Sequence, residues 1–127
     1  MELIFVILIL FQIKHWYIDF VNQSNEEVAH KGIYLDWVGM KHSVKHGIAT
    51  FLIMTTVILA NGIDYVNLSI IGAGIIGFID FITHYHIDWC KMNYGNRDIS
   101  TPAFWNHLGL DQMLHQFVYI GLAYLIL

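Results

Sequence analysis

The chain has 127 residues, of which 57% are hydrophobic and 13% charged, with a formal net charge of −4 and a mean hydropathy of +0.55. A soluble domain carries about a quarter of its residues as charges, so most of this surface must face something other than water. The weak negative balance without a basic run argues against a nucleic-acid partner, and one cysteine excludes an internal disulfide.

The length allows one domain, 1–127. Four windows, about 2–21, 40–60, 65–90 and 102–127, approach the roughly 20 apolar residues that cross a bilayer. The expected fold is all-α: a polytopic membrane protein with four transmembrane helices in an antiparallel bundle. The first window lacks a basic n-region and runs into His15-Trp16-Tyr17-Ile18-Asp19 rather than a small-residue cleavage site, so a retained helix is expected there. Its polar residues fall late, Gln12, His15, Asp19 and Gln23, and make one seam. Ser24-Asn25-Glu26-Glu27 has the pattern of a capping box, with Ser24 as N-cap and Glu27 at the third helical position. It opens either a short interfacial helix reaching Gly32 or a solvated acidic loop.

The second long helix starts between Asp36 and Met40 and carries Lys41, His42, Lys45 and His46 early; Asn61-Gly62-Ile63-Asp64 is a tight turn. The third carries Gly72, Gly74 and Gly77, and Ala73-x3-Gly77 is a small-x3-small pattern that permits close helix approach. Asp80, His84 and Asp88 then form one stripe with Lys91 beside it, because residues four apart lie about 40° from each other on a helix. A polar loop is expected over Met92–Thr101, and Thr101-Pro102 begins the last helix, which bears Asp111 and His115.

The polar motifs fall late, early, late and early in successive spans. Alternating spans bring all four to one membrane face. Lys14, Lys31, Lys41, Lys45, Lys91 and Arg97 belong to that face, as do Trp16, Trp37, Trp89 and Trp105. By the positive-inside rule it is cytoplasmic and both termini lie outside.

Seven His/acid or His/His pairs stand four apart: 15/19, 26/30, 42/46, 80/84, 84/88, 107/111 and 111/115. That spacing points helical ligands at one ion, and bundles build dinuclear centres this way. The ligand set is His15, Asp19, His42, His46, His84, Asp88, Asp111 and His115, enough for one or two ions. Imidazole and carboxylate without sulfur suit Zn, Mn or Fe. The competing reading keeps these groups at headgroup level, bonded to one another or to water; an Asp costs about 2.5–3.5 kcal/mol at the bilayer centre and less toward the interface.

Asp80 is either a ligand or an acceptor behind the ligands. Lys91 either contacts an anionic substrate or pairs with Asp88. His86 and Cys90 lie off the stripe, and His30 and His107 are weaker candidates. As an enzyme, the chain would be a metal-dependent hydrolase of a lipid or other amphiphilic ester or phosphoester. Asp19, Asp88 or Asp111 would serve as general base and Lys91 would stabilise developing charge. The alternative is a non-enzymatic membrane protein, either a small metal or proton transporter or one that alters the envelope. Against transport, the outer halves of the helices hold almost no ionisable group beyond Glu2 and Asp64.

The four motifs are His15-x3-Asp19-Phe20-x2-Gln23, His42-x3-His46-Gly47, His84-x2-Ile87-Asp88-x2-Lys91 and Asp111-Gln112-x2-His115. In that order they resemble a family of small integral-membrane proteins of unknown function from bacteria and their phages. That family is in turn distantly similar to membrane-bound metal-dependent hydrolases. The resemblance implies a shared site at these residues and a place in the bacterial inner, or host-cell, membrane. It supplies no substrate, and Asp80 and His86 fall outside its pattern.

Overall fold

The computed structural model describes residues 2–62 and 68–126. Ile63 and Asp64 of the expected turn, and the start of the window at 65, lie outside the described residues. The described residues form five helices. Helix α1 is Glu2–Trp16, prolonged by a π-helical turn at Tyr17–Val21; α2 is Asn25–His30, α3 Trp37–Asn61, α4 Ile70–Tyr94 and α5 Pro102–Tyr124.

Side chains set the helix starts by satisfying otherwise unpaired first-turn N–H groups. Ser24 and Glu27 form the reciprocal capping box, so the 24–30 segment is a helix and not an acidic loop, though it ends at His30 before Gly32. Asp36 accepts from the N–H groups of Val38 and Gly39 and starts α3 earlier than residue 40. Ser69 caps Gly72 N–H, which places the start of α4 at Ile70 rather than 65. That helix continues to Tyr94, past the expected residue 90, so the polar connection begins at Gly95 rather than Met92. Thr101 and Pro102 start α5 as their chemistry requires.

Three stretches are long and apolar enough to cross a membrane by length and composition: Glu2–Val21, Trp37–Asn61 and Ile70–Tyr94. Helix α5, at 23 residues, is not among them, because Asn106, His107, Asp111, Gln112, His115 and Gln116 dilute its apolar content.

The interior has two halves. Ile7, Phe11, Met54, Ile58, Ile76 and Leu122 make an apolar core at one end. Imidazoles, carboxylates and lysines fill the other. The exterior is the reverse of a soluble protein's: Phe5, Ile9, Leu52, Ile71, Phe78 and Phe117 are all exposed. Where α3 meets α4 and α4 meets α5, the residue numbers of contacting pairs rise on one helix as they fall on the other, so each pair is antiparallel. His42 meets His84 and Gly47 meets Gly77 across α3 and α4, and Lys91 meets Asp111 while Asp88 nears His115 across α4 and α5.

Two glycines of α4, Gly77 and Gly74, contrast in what surrounds them. A Cβ on Gly77 would sit 2.6 Å from the Gly47 carbonyl oxygen, and one on Gly47 would sit 2.8 Å from the Gly77 carbonyl oxygen. Backbone meets backbone there, with no flexible side chain to yield. A Cβ on Gly74 meets nothing within 4 Å. Gly77→Ala should therefore destabilise the protein by about 1–3 kcal/mol through overpacking. Gly74→Ala should leave stability unchanged or raise it by up to about 1 kcal/mol through helix propensity. Thermal unfolding of both variants in one detergent checks the pair; equal melting temperatures would refute the close-approach account.

Candidate metal centre

Asp19 lies in the π-helical turn that ends α1, where Asn22 N–H reaches back five residues to Tyr17 O at 2.9 Å. Such a turn shifts the side chains beyond it out of α-helical register, and this one aims the Asp19 carboxylate into the bundle. Helix α3 brings His42 and His46 to it, α4 brings His84 and Asp88, and α5 brings Asp111 and His115. Gln23 does not continue the seam as expected, because the helical run stops at Val21.

Asp19 Oδ1 is the centre of the arrangement. It lies 2.8 Å from His46 Nε2, 3.0 Å from His42 Nε2 and 3.7 Å from His84 Nε2. The Nε2 atoms of His42 and His84 are themselves 3.1 Å apart. Ligand atoms about 2.0–2.1 Å from a tetrahedral zinc stand about 3.3 Å from one another, a value that these four separations bracket. Hydrogen bonding alone accounts for the group less well, since one carboxylate oxygen cannot accept well from three imidazoles. The rings of His46 and His84 stack at 3.6 Å, and those of His84 and His115 at 4.1 Å, which holds the three in a column.

All eight candidate ligands fall in three overlapping groups whose ligand atoms lie within 4.8 Å of one another. The first is Asp19, His42, His46 and His84; the second His15, His84 and His115; the third Asp88, Asp111 and His115. His15 is already engaged on both ring nitrogens. Gln112 Nε2 donates to Asp111 Oδ2 at 3.1 Å, which fixes the amide, so its Oε1 accepts from His15 Nε2 at 2.9 Å. His15 Nδ1 then accepts from the Tyr119 hydroxyl at 2.9 Å.

Lysines neutralise three of the four clustered carboxylates. Asp80 pairs with Lys14 and accepts from Thr50 Oγ1 at 2.5 Å, so it is an acceptor behind the cluster and belongs to none of the ligand groups. Lys14 also donates to the His46 carbonyl at 3.3 Å and sits 4.8 Å above the Tyr119 ring. Asp88 pairs with Lys31 at 2.7 Å. Lys91 pairs with Asp111 at 2.8 Å, and not with Asp88 three residues before it. Asp19 alone has no lysine within salt-bridge distance among the described residues, and its close ionisable partners are imidazoles.

The remaining candidates stand apart. His30 bonds to Asp36 at 2.8 Å and not to Glu26. His107 Nδ1 accepts from Asn96 N–H at 2.7 Å, His86 is exposed with its Nδ1 on the Ile82 carbonyl, and Cys90 is exposed. Sequence reasoning gave no pairing role to Lys14 or Lys31, which it only placed on the polar face, held Gln112 only as part of the fourth motif, and missed Thr50 and Tyr119. Thr50 stands four after His46 and Tyr119 four after His115, so applying the same spacing to hydroxyl residues finds both. Lys31 carries no such signal. It reaches Asp88 because Gly39 lets α2 lie on α3, where a Cβ would sit 2.5 Å from the His30 carbonyl oxygen.

A family model described as "Protein of unknown function (DUF3307)" matches residues 7–127. The chain belongs to the DUF3307 family. That match takes in every residue of the cluster in this DUF3307 protein, from His15 to His115. No curated protein and no solved structure matches the chain.

The Lys14–Asp80 pair gives a stability test. Lys14→Met leaves a buried carboxylate without its partner and should cost about 3–5 kcal/mol. Lys14→Met combined with Asp80→Leu removes both charges and should recover most of that loss. Melting temperatures of the single and double variants decide it; a double variant no better than the single would show that the pair is not the coupling.

Proposed function

We propose that this DUF3307 protein is a four-span antiparallel membrane bundle that holds one or two divalent cations of the Zn, Mn or Fe class. In this reading it hydrolyses an amphiphilic ester or phosphoester at the cytoplasmic face of a bacterial inner membrane. The observation that carries the metal is the Asp19 group: three imidazole Nε2 atoms within 3.7 Å of one carboxylate oxygen that has no lysine. The first ion belongs there, held by His42, His46, His84 and Asp19. A second would take Asp88, Asp111 and His115, where Lys31 and Lys91 now supply the positive charge.

A bound cation supplies Lewis acidity and acidifies a water. The chain's own groups do the rest. Asp111 Oδ1 is buried without a hydrogen-bond partner and its residue lines a pocket, so it is the carboxylate best placed to accept a proton. Asp88 fixes His84 and His115, and Lys91 meets developing negative charge. Two features support a fourth span through α5. Its polar side chains meet partners on α1 and α4, Gln116 with Gln12 and Asp111 with Lys91, and its other faces present Phe117 and Ile120. Chemistry at one face is favoured over transport because the far half of the bundle is closed by the Ile7, Phe11, Met54, Ile58 and Leu122 core.

The cluster selects Asp19→Asn as the sharpest probe. Replacing Asp88 would strip Lys31 of its partner as well, whereas Asp19 has no lysine to orphan. Protein purified without chelator should contain one to two equivalents of Zn, Mn or Fe. His42→Ala with His46→Ala, and Asp19→Asn alone, should each lower occupancy of the first site at least about tenfold, a loss of about one equivalent, while His86→Ala should not. Across a panel of membrane esters and phosphoesters, Asp19→Asn should lose about a hundredfold or more in rate with at most about 2 kcal/mol of stability. Background metal in wild type after a supplemented preparation sinks the metal reading. Full metal without turnover of any panel member favours the non-enzymatic alternative.

Orientation rests on the basic residues and is tested separately. With Cys90 replaced, an impermeant thiol reagent should label a cysteine placed at Asn61 in intact cells and spare one placed at Arg97. The opposite pattern would invert the topology.

A further inference from the structure

Between α4 and α5 lies a pocket of about 230 Å³ that no part of the metal reading uses except at its edge. Ile87, Tyr94, Leu110 and Leu114 form apolar walls, and Lys91 and Asp111 bring charge to it. Leu110 and Leu114 are 48% and 40% exposed, so the pocket opens on the apolar exterior. Of the three lysines that pair with clustered carboxylates, Lys14 and Lys31 have side chains 5% and 9% exposed, and Lys91 28%. Lys91 is the one a ligand can reach.

The donors left over in this pocket select an anion. An ammonium has three protons, and Lys91 gives one to Asp111, which leaves two. Asp111 Oδ2 already accepts from Lys91 and from Gln112, while its buried Oδ1 keeps the acceptor capacity assigned to it above. His107, another lining residue, accepts from Asn96 N–H through Nδ1, and its neutral ring therefore carries its proton on Nε2 as a further donor. Three donors match the three acceptor oxygens of a phosphate monoester. The walls need a hydrocarbon beside it. Sites for drug-sized molecules span about 300–1,000 Å³, so this pocket takes part of one chain rather than two.

We propose that the α4/α5 pocket binds a single-chain amphiphile with a phosphate head, the chain against Leu110 and Leu114 and the head on Lys91. This names the substrate class for the hydrolase proposed above and rests on that reading only for what happens to the molecule after it binds. Asp111 joins the pocket to the third ligand group, so a head held by Lys91 stands beside Asp88 and His115.

Binding is measured on the full chain in phosphatidylcholine nanodiscs, with a fluorescent lysophosphatidic acid and the monoacylglycerol of the same chain as probes. Wild type should bind the phosphate probe saturably and at least tenfold more tightly than the uncharged one. Lys91→Gln should abolish that preference and Lys91→Arg should keep it. Leu114→Trp, or Leu110→Trp should the first fail to fold, should weaken both probes at least fivefold by filling the pocket. Millimolar inorganic phosphate should displace little of the probe. Equal affinity for the two probes, wild-type binding by Lys91→Gln or by a folded Trp variant, or full displacement by inorganic phosphate would each overturn the proposal. Metal content of the same samples separates the two readings. Probe selectivity lost in a metal-loaded wild type defeats the pocket alone, and selectivity kept in a metal-free wild type defeats the hydrolase alone.

Discussion

Everything at the polar end of this protein follows from the need to neutralise buried carboxylates. Asp19, Asp80, Asp88 and Asp111 all turn inward, and a lone buried charge costs several kcal/mol even after relaxation. Three of them recruit lysines from different segments: Lys14 from α1, Lys31 from the end of α2 and Lys91 from α4. Each lysine ties two segments together, so the charge balance also fixes how the helices meet. Asp19 recruits imidazoles from α1, α3 and α4 instead. An imidazole balances a carboxylate only when protonated, whereas a lysine carries its charge throughout, and this difference is the strongest physical reason to propose a cation there first.

The close contact of α3 and α4 makes that geometry possible. Gly47 stands one residue after His46, and Gly77 three before Asp80. With backbones touching at these glycines, His46 and His84 come within stacking distance and the Nε2 atoms of His42 and His84 reach 3.1 Å. A wider helix pair would leave the imidazoles too far apart to share an ion. The small residues and the candidate ligands thus depend on one contact.

Much of this was legible in the sequence because helical periodicity carries it. The four-apart spacing placed eight residues on inward stripes, and those stripes converge. The caps at Ser24 and Thr101 were readable because capping is local chemistry. The counter-ions were not readable. Lys31 reaches Asp88 through a helix-on-helix contact at Gly39, and Lys91 chooses Asp111 on α5 over Asp88 on its own helix. Such choices depend on tertiary distance, which no spacing along the chain reports. The π-helical turn at Tyr17–Val21 was equally hidden, since nothing in Tyr-Ile-Asp-Phe-Val breaks an α-helical pattern.

The composition of α5 bears on how the protein is made. The other three long stretches are long and apolar enough to cross a membrane by length and composition, whereas α5 carries Asp111, His115 and their polar neighbours. Its polar groups are cancelled only in company, by Lys91, Gln12 and His15. In the four-span reading, α5 is a dependent helix whose insertion waits on the earlier three. Biogenesis and the completion of the site are then a single event: a chain that has failed to bring Asp111 and His115 into the cluster has also failed to finish its topology, and it offers the quality-control proteases of the membrane an unpartnered polar helix.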